Sequence, residues 1–331
     1  MTAHDALRIQ IQRGKSVESE HLVDMVALRD DGTLIENFGD QERMTFPRSA
    51  IKLAQATLFA EKGLQLSKEM DDRYLALACS SHRGQSLHVE LVDHWLKLMN
   101  LKKETLACGS HYPGDREAEM NMIRNGLLPD ARHNNCSGKH CGFLSHCLET
   151  GMPVEGYEKY EHPLQQRLRE VLSEFGNFSY SSASWGIDGC SIPTYLVPLR
   201  VLAQTMLAFV PQSKFFHGVL FQKIFEAVAQ NPVYFNGSQT FSSSVIQLSK
   251  GQVVAKTGAE GVYSVIIPEA GVSVAIKARD GSTRASEAAV VHALRLFYSG
   301  FEKVESNLLN LHPQVVTNWS KQPVGRIVTA G

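Results

Sequence analysis

The sequence predicts a mixed α/β protein in which strands from both chain ends form one antiparallel sheet, with flanking helices and a mostly helical middle lobe. Three observations carry this prediction. Two-residue alternation marks the first 40 or so residues and returns after about 240, helical spacing fills about 84–230, and no repeat or low-complexity linker divides the chain. The sheet lobe is expected over about 1–65 and 240–331 and the helical lobe over about 66–239, together forming one domain of 331 residues.

Each element follows from local pattern. Residues 7–12 alternate as a strand, and 22–28 and 34–38 flank the turn Asp30-Asp31-Gly32, a hairpin signal. Over 49–61 the apolar residues Ile51, Leu53, Ala54, Leu58 and Phe59 suit a helix that stops at Gly63. Helices are expected at 86–100, 115–128, 137–149, 162–175, 196–209 and 213–229. Short strands are read at 244–248, 252–256, 262–267 and 272–277, followed by a final helix over 282–298.

Composition excludes several function classes. With 43% hydrophobic and 20% charged residues the chain is globular, and a net charge of -1 with no basic run argues against nucleic acid. Residues 1–15 carry no apolar core with a small-residue cleavage site, and no stretch reaches the roughly 18 apolar residues of a membrane span. The expectation is a cytoplasmic protein with no membrane partner. Six cysteines, all between 79 and 190, then read as thiols, metal ligands or core residues rather than disulfides.

The chemistry-bearing residues fall in a few short segments. Ser49-Ala50-Ile51-Lys52 places a hydroxyl and an amine three residues apart at an expected helix start, so both share one face. Serine needs a base to become a nucleophile, and lysine is one only when burial or a second cation lowers its pKa. Lys256-Thr257-Gly258 at the end of a late strand completes the Ser-x-x-Lys and Lys-Thr-Gly pairing of serine β-lactamases and penicillin-binding proteins. Lys256 is then placed to lower the pKa of Lys52, and Ala259 to lend a backbone N–H to an oxyanion hole. Ser81, in Cys79-Ser80-Ser81-His82, is the candidate second serine; a helix N-cap is its plain alternative. Cys136 and Cys190 stand in polar, glycine-bearing segments and offer two thiolates to zinc, although on spacing alone buried free thiols are the commoner explanation. Asp188 is a candidate for a substrate ammonium and Arg48 for a carboxylate.

Taken together, Pro47–Lys52, Cys79–His82, Cys108-Gly109-Ser110-His111, Asn135-Cys136-Ser137-Gly138-Lys139-His140, Trp185-Gly186-Ile187-Asp188-Gly189-Cys190 and Lys256–Ala259 resemble the asparaginase II family of the rhizobial type, in order and over about residues 6–300. The resemblance implies a serine β-lactamase/glutaminase-like fold, hydrolysis of L-asparagine to L-aspartate and ammonia, and a homodimer. It implies two serine–lysine pairs, Ser49 with Lys52 and Ser81 with Lys256, and zinc held by Cys136, Lys139 and Cys190. Arg48, His140 and Asp188 match positions near the substrate, and Asn135 and Ala259 complete the expected substrate-binding set. The Lys-Thr-Gly triplet departs from the family's usual Lys-Leu-Gly. A glutaminase, a penicillin-recognising acylase or β-lactamase, and a zinc-dependent binding protein without turnover are the rival readings.

Overall fold

Residues 5–311 and 315–330 are described by the computed structural model; residues 1–4, the start of the stretch read for an export signal, lie outside them. The main sheet has eight strands, and every pairing in it is antiparallel. From one edge its order is Val315–Thr317, Pro323–Ala330, Leu7–Arg13, Ser16–Arg29, Val272–Ala278, Val262–Ile267 and Val254–Thr257, with Leu34–Phe38 also paired to Ser16–Arg29. The two chain ends therefore meet in the sheet, as the pattern predicts.

Alternation gives this sheet two apolar faces. Met25, Ala27, Ala255, Tyr263 and Val265 pack under the helix Thr283–Phe297, while Val26, Leu28, Val254, Val262 and Ile266 pack against the helical part. Lys256 shares the parity of Val254 and so faces the helical part, at the sheet's edge strand. Its side chain is only 1% exposed.

Several boundaries differ from the sequence reading. The stretch 244–248 is no strand: it belongs to the helix Phe241–Leu248, capped by Thr240, whose side chain accepts from the Ser243 N–H. Its buried Phe241 and Val245 are four residues apart on the C-terminal-helix side, and the alternation seen over five residues was too short to tell strand from helix. The helix expected over 49–61 is broken into a 3₁₀ turn Arg48–Ile51 and short helices Lys52–Gln55 and Thr57–Glu61. The helix over 282–298 is not the last element, since Phe301–Leu311 and two strands follow it. A further helix, Asp72–Ala78, delivers Ser80 and Ser81; its N-cap Asp71 accepts from the Arg73 N–H. No helix among the described residues is long and apolar enough to cross a membrane.

Candidate active site

The site forms where three pieces of chain meet at the sheet edge. Arg48, just ahead of Ser49, is held at φ +50°, a conformation that costs a non-glycine residue energy unless its surroundings impose it. Two contacts do so. Ser264 Oγ donates to the Ala50 carbonyl at 2.7 Å, and Gly258 lies so close that a Cβ there would stand 2.8 Å from the Pro47 oxygen and 3.1 Å from the Ala50 nitrogen. The second piece is pinned likewise: Ser81 N–H donates to the Phe235 carbonyl at 3.0 Å and His82 N–H to the Asn135 carbonyl at 3.2 Å. The third, the helix Ser137–Thr150, comes close because Gly138 leaves room for the Leu77 carbonyl, 2.3 Å from where a Cβ would sit.

Two buried lysines converge on Ser81. Lys52 Nζ donates to the Ser80 carbonyl and lies 3.2 Å from Ser81 Oγ and 3.1 Å from Cys136 Sγ. Lys256 Nζ lies 2.9 Å from Ser81 Oγ, 2.9 Å from the Thr257 carbonyl and 3.4 Å from Asn236 Oδ1. Burial, then the charge of Lys52, pushes the Lys256 amine well below the usual lysine range. Ser49 is half-buried, and its hydroxyl has no hydrogen-bond partner among the described residues. The pairing implied by motif thus differs in detail, because both lysines contact Ser81.

On the opposite wall, Cys136 is the N-cap residue of the helix Ser137–Thr150, Lys139 lies in its first turn, and Cys190 lies in the turn closed by the Ser191 N–H donating to the Asp188 carbonyl. Lys139 Nζ is 2.9 Å from Cys190 Sγ. The Cys136–Cys190 hydrogen bond and burial push Cys136 up to about 12, while the same hydrogen bond, against burial, and the Lys139 charge bring Cys190 down to about 5. Burial opposes the Lys139 charge, but the two thiols and Asp188 outweigh it and hold the amine above its usual range.

Between the walls lies a cavity of about 350 Å³, lined by Arg48, Ser49, Ser81, Asn135, Cys136, Asp188, Cys190 and Ala259 of the sequence-derived set. Arg48 Nε donates to Asp188 Oδ1 at 2.5 Å. Burial opposes ionisation of Asp188, yet Lys139 and Arg48 keep its carboxyl below the ordinary value. The backbone N–H of Ala259 has no acceptor among the described residues. His140 lies off the cavity, fully buried and brought down to about 3 by burial, with Nδ1 2.6 Å from Tyr157 Oη and Nε2 without a partner.

The sequence reading gives no role to His111, Asn134 or Asn236, nor to Thr257 beyond its place in the Lys-Thr-Gly triplet. His111 Nε2 accepts from the Asn135 N–H at 3.0 Å, and Asn134 Oδ1 accepts from the Cys136 N–H at 2.8 Å, so they shape the loop that presents Cys136. His111 lies in a quoted motif, a signal that was present; Asn236, in a short helix 20 residues before Lys256, had none.

The class defined by scaffold and cleft is a mixed α/β protein with a polar cleft at a sheet edge, backed by three buried lysines. The chain belongs to the L-asparaginase II family, whose profile matches residues 9–329, and it is thereby a member of a hydrolase family. No curated relative matches it by sequence. Among solved structures it is similar to Mglu in its native form (11% identity, TM-score 0.46, covering 84% of this chain and 65% of that one). It is also similar to a putative β-lactamase from Bacteroides dorei (10%, 0.41, 83% and 85%) and a β-lactamase from Mycobacterium bovis (16%, 0.40, 86% and 94%). The chain thus spans about 65% of the length of native Mglu, and all three likenesses are distant.

Proposed function

We infer that the protein hydrolyses the side-chain amide of L-asparagine to L-aspartate and ammonia through a lysine-activated serine. The observation that carries this reading is the convergence of Lys52 and Lys256 on Ser81 Oγ, in the wall of a cleft that Ser49 shares. Ser49 is the nucleophile, with a hydroxyl that has no other bond to give up. Ser81 relays the proton: as Ser49 Oγ attacks the amide carbon, its proton passes to Ser81 Oγ, whose own proton goes to the neutral Lys256 amine. The oxyanion that forms is met by the free N–H of Ala259. The proton returns through Ser81 to the leaving nitrogen, and water repeats the sequence on the acyl-serine.

The Arg48–Asp188 pair favours an amino acid as substrate. A zwitterion brings both charges, so its carboxylate and ammonium can replace one ion pair by two, with Asn135 beside them. Cys136, Lys139 and Cys190 would hold zinc: two soft thiols and an amine face one another across hydrogen-bond distances, a donor set suited to that ion once Lys139 gives up its proton. Bound there, zinc supplies a fixed positive charge at the substrate end of the cleft. His140, one helical position after Lys139, lies off the cavity and is given no contact with substrate in this reading. The full reading is a cytoplasmic homodimer, its sheet and helical lobes acting as one unit.

A second assignment, with Ser81 as nucleophile, is favoured by the contact of both lysines with its Oγ. Mass spectrometry after reaction with a slow asparagine analogue decides: an adduct on Ser49 supports the relay, and one on Ser81 replaces it. Ammonia release is expected from asparagine in preference to glutamine, with no turnover of nitrocefin. No release from either amide overturns the activity.

A further inference from the structure

A second cavity, of about 190 Å³, lies behind the catalytic wall and shares Ser81 and Thr257 with the cleft. Strand alternation explains it. Lys256 faces the helical part, whereas Thr257 is registered opposite Tyr263, on the side of the sheet where Tyr263 packs under the helix Thr283–Phe297 and its Glu287. Nothing in the chemistry above uses this space, yet its lining is strongly polar.

The polar groups have a definite sense. Asn236, 2% exposed, is oriented by Lys256, which donates to its Oδ1, and this leaves the buried Nδ2 without a partner among the described residues. Thr257 Oγ1 spends its proton on the Gly258 carbonyl at 3.3 Å, and Tyr263 Oη spends its own on Glu287 Oε1 at 3.5 Å, so both oxygens keep lone pairs to offer. Ser242 Oγ, also buried without a partner among the described residues, can donate or accept, so the cavity presents the Nδ2 donor, this hydroxyl and several acceptors. A ligand with several N–H groups and one lone pair matches that inventory, and the volume is ample for a molecule the size of water. At the far end Thr283 is exposed, which gives the space a mouth of its own, away from Arg48 and Asp188.

We propose that this rear cavity is the subsite and exit for the ammonia released from the amide, with Asn236 Nδ2 meeting its lone pair and Thr257, Tyr263 and Glu287 receiving its N–H groups. This rests on the amide-hydrolysis reading. When the tetrahedral intermediate collapses, the C–N bond breaks and its electron pair goes to nitrogen. Nitrogen takes one proton from the Ser81–Lys256 relay and leaves as NH₃, while the oxyanion's pair re-forms the acyl carbonyl. In the rear cavity NH₃ takes the Glu287 carboxyl proton and departs as ammonium, and Glu287 regains a proton from water. Burial, against the Tyr263 hydrogen bond, holds that carboxyl up to about 7, so it carries a proton to give. Water can then enter by the cleft while the acyl group is still attached.

Hydroxylamine, an ammonia-like nucleophile, tests the subsite because it competes with water for the acyl-enzyme. The ratio of aspartyl hydroxamate to aspartate is measured for the unaltered protein, for Ser242→Leu, which fills the cavity, and for Glu287→Gln, which keeps its shape. The ratio is expected to fall about tenfold in Ser242→Leu, with total acyl-enzyme turnover retained, and less in Glu287→Gln. An unchanged ratio in both variants, or equal loss of both products, overturns the subsite. If the unaltered protein releases no ammonia from asparagine, it is the amide-hydrolysis reading that fails.

Discussion

The two walls of the cleft each bury a lysine almost completely, Lys256 at 1% and Lys139 at 2% exposure, and they drive the two amines in opposite directions. Lys256 is pushed well below its usual range and Lys139 above it. Burial acts alike on both. The difference lies in the company: Lys256 has the cation of Lys52 beside it and hydroxyl, amide and carbonyl oxygens around it, whereas Lys139 has the Cys190 and Cys136 thiols and Asp188. The nearest charge decides whether burial prevails and favours the neutral amine, as at Lys256, or is outweighed so that the charged form is favoured, as at Lys139.

The strongest way to break this comparison is to remove the neutral amine. Lys256→Met should lower kcat/KM for asparagine by about a thousandfold, as expected for loss of a proton-transfer group, without unfolding the protein. Ammonia release within tenfold of the unaltered enzyme would show that the Ser81 relay does not depend on it. On the other wall, Cys190→Ala strands the Lys139 charge. In chelator the variant should lose about 3–5 kcal/mol in urea unfolding, and the added change Lys139→Met should recover most of it. Loss of under about 1 kcal/mol would mean that no ion pair holds that wall.

How much of this was legible depends on whether the determinant was local. Ser49 and Lys52 could be read from spacing, but not which serine each lysine meets, because Ser81 arrives on a helix packed through Gly138 from far along the chain. The strands Val315–Thr317 and Pro323–Ala330 escaped notice because they are exposed or half-buried and so show no alternation. The late stretch 244–248 misled because helix Phe241–Leu248 lies between both apolar clusters, Ile246 in one and Val245 in the other. His140 followed the motif into the candidate set, although its ring turns away toward Tyr157.

Smaller effects sharpen the contrast. Gly258→Ala forces a Cβ against the Pro47 oxygen and Ala50 nitrogen, moves the turn that carries Ser49, and should cost about 1–3 kcal/mol in stability together with activity. The zinc affinity proposed for the thiol wall should be the same in that variant as in the unaltered protein, measured by equilibrium dialysis. Equal loss on both walls would mean that they are not independent.

Glu287, behind the Lys256 wall, gives the mildest test. Its folded pKa is raised from the ordinary 4.5 to about 7, so its contribution to stability is full below 4.5 and is lost as pH rises through 7. Unfolding free energy should therefore decline over that window by up to about 3 kcal/mol on its account, and Glu287→Gln should flatten the decline. A profile identical to that of the unaltered protein would remove the carboxyl from the description of the rear cavity.

The most direct test of the central claim is an NMR titration of the lysine Nζ and Cε resonances, with Lys256 assigned by comparison with Lys256→Met. The Lys256 signal is expected to titrate well below the ordinary 10.5 and to move upward in Lys52→Met. A Lys256 amine that stays protonated up to 10.5 or beyond would contradict the account.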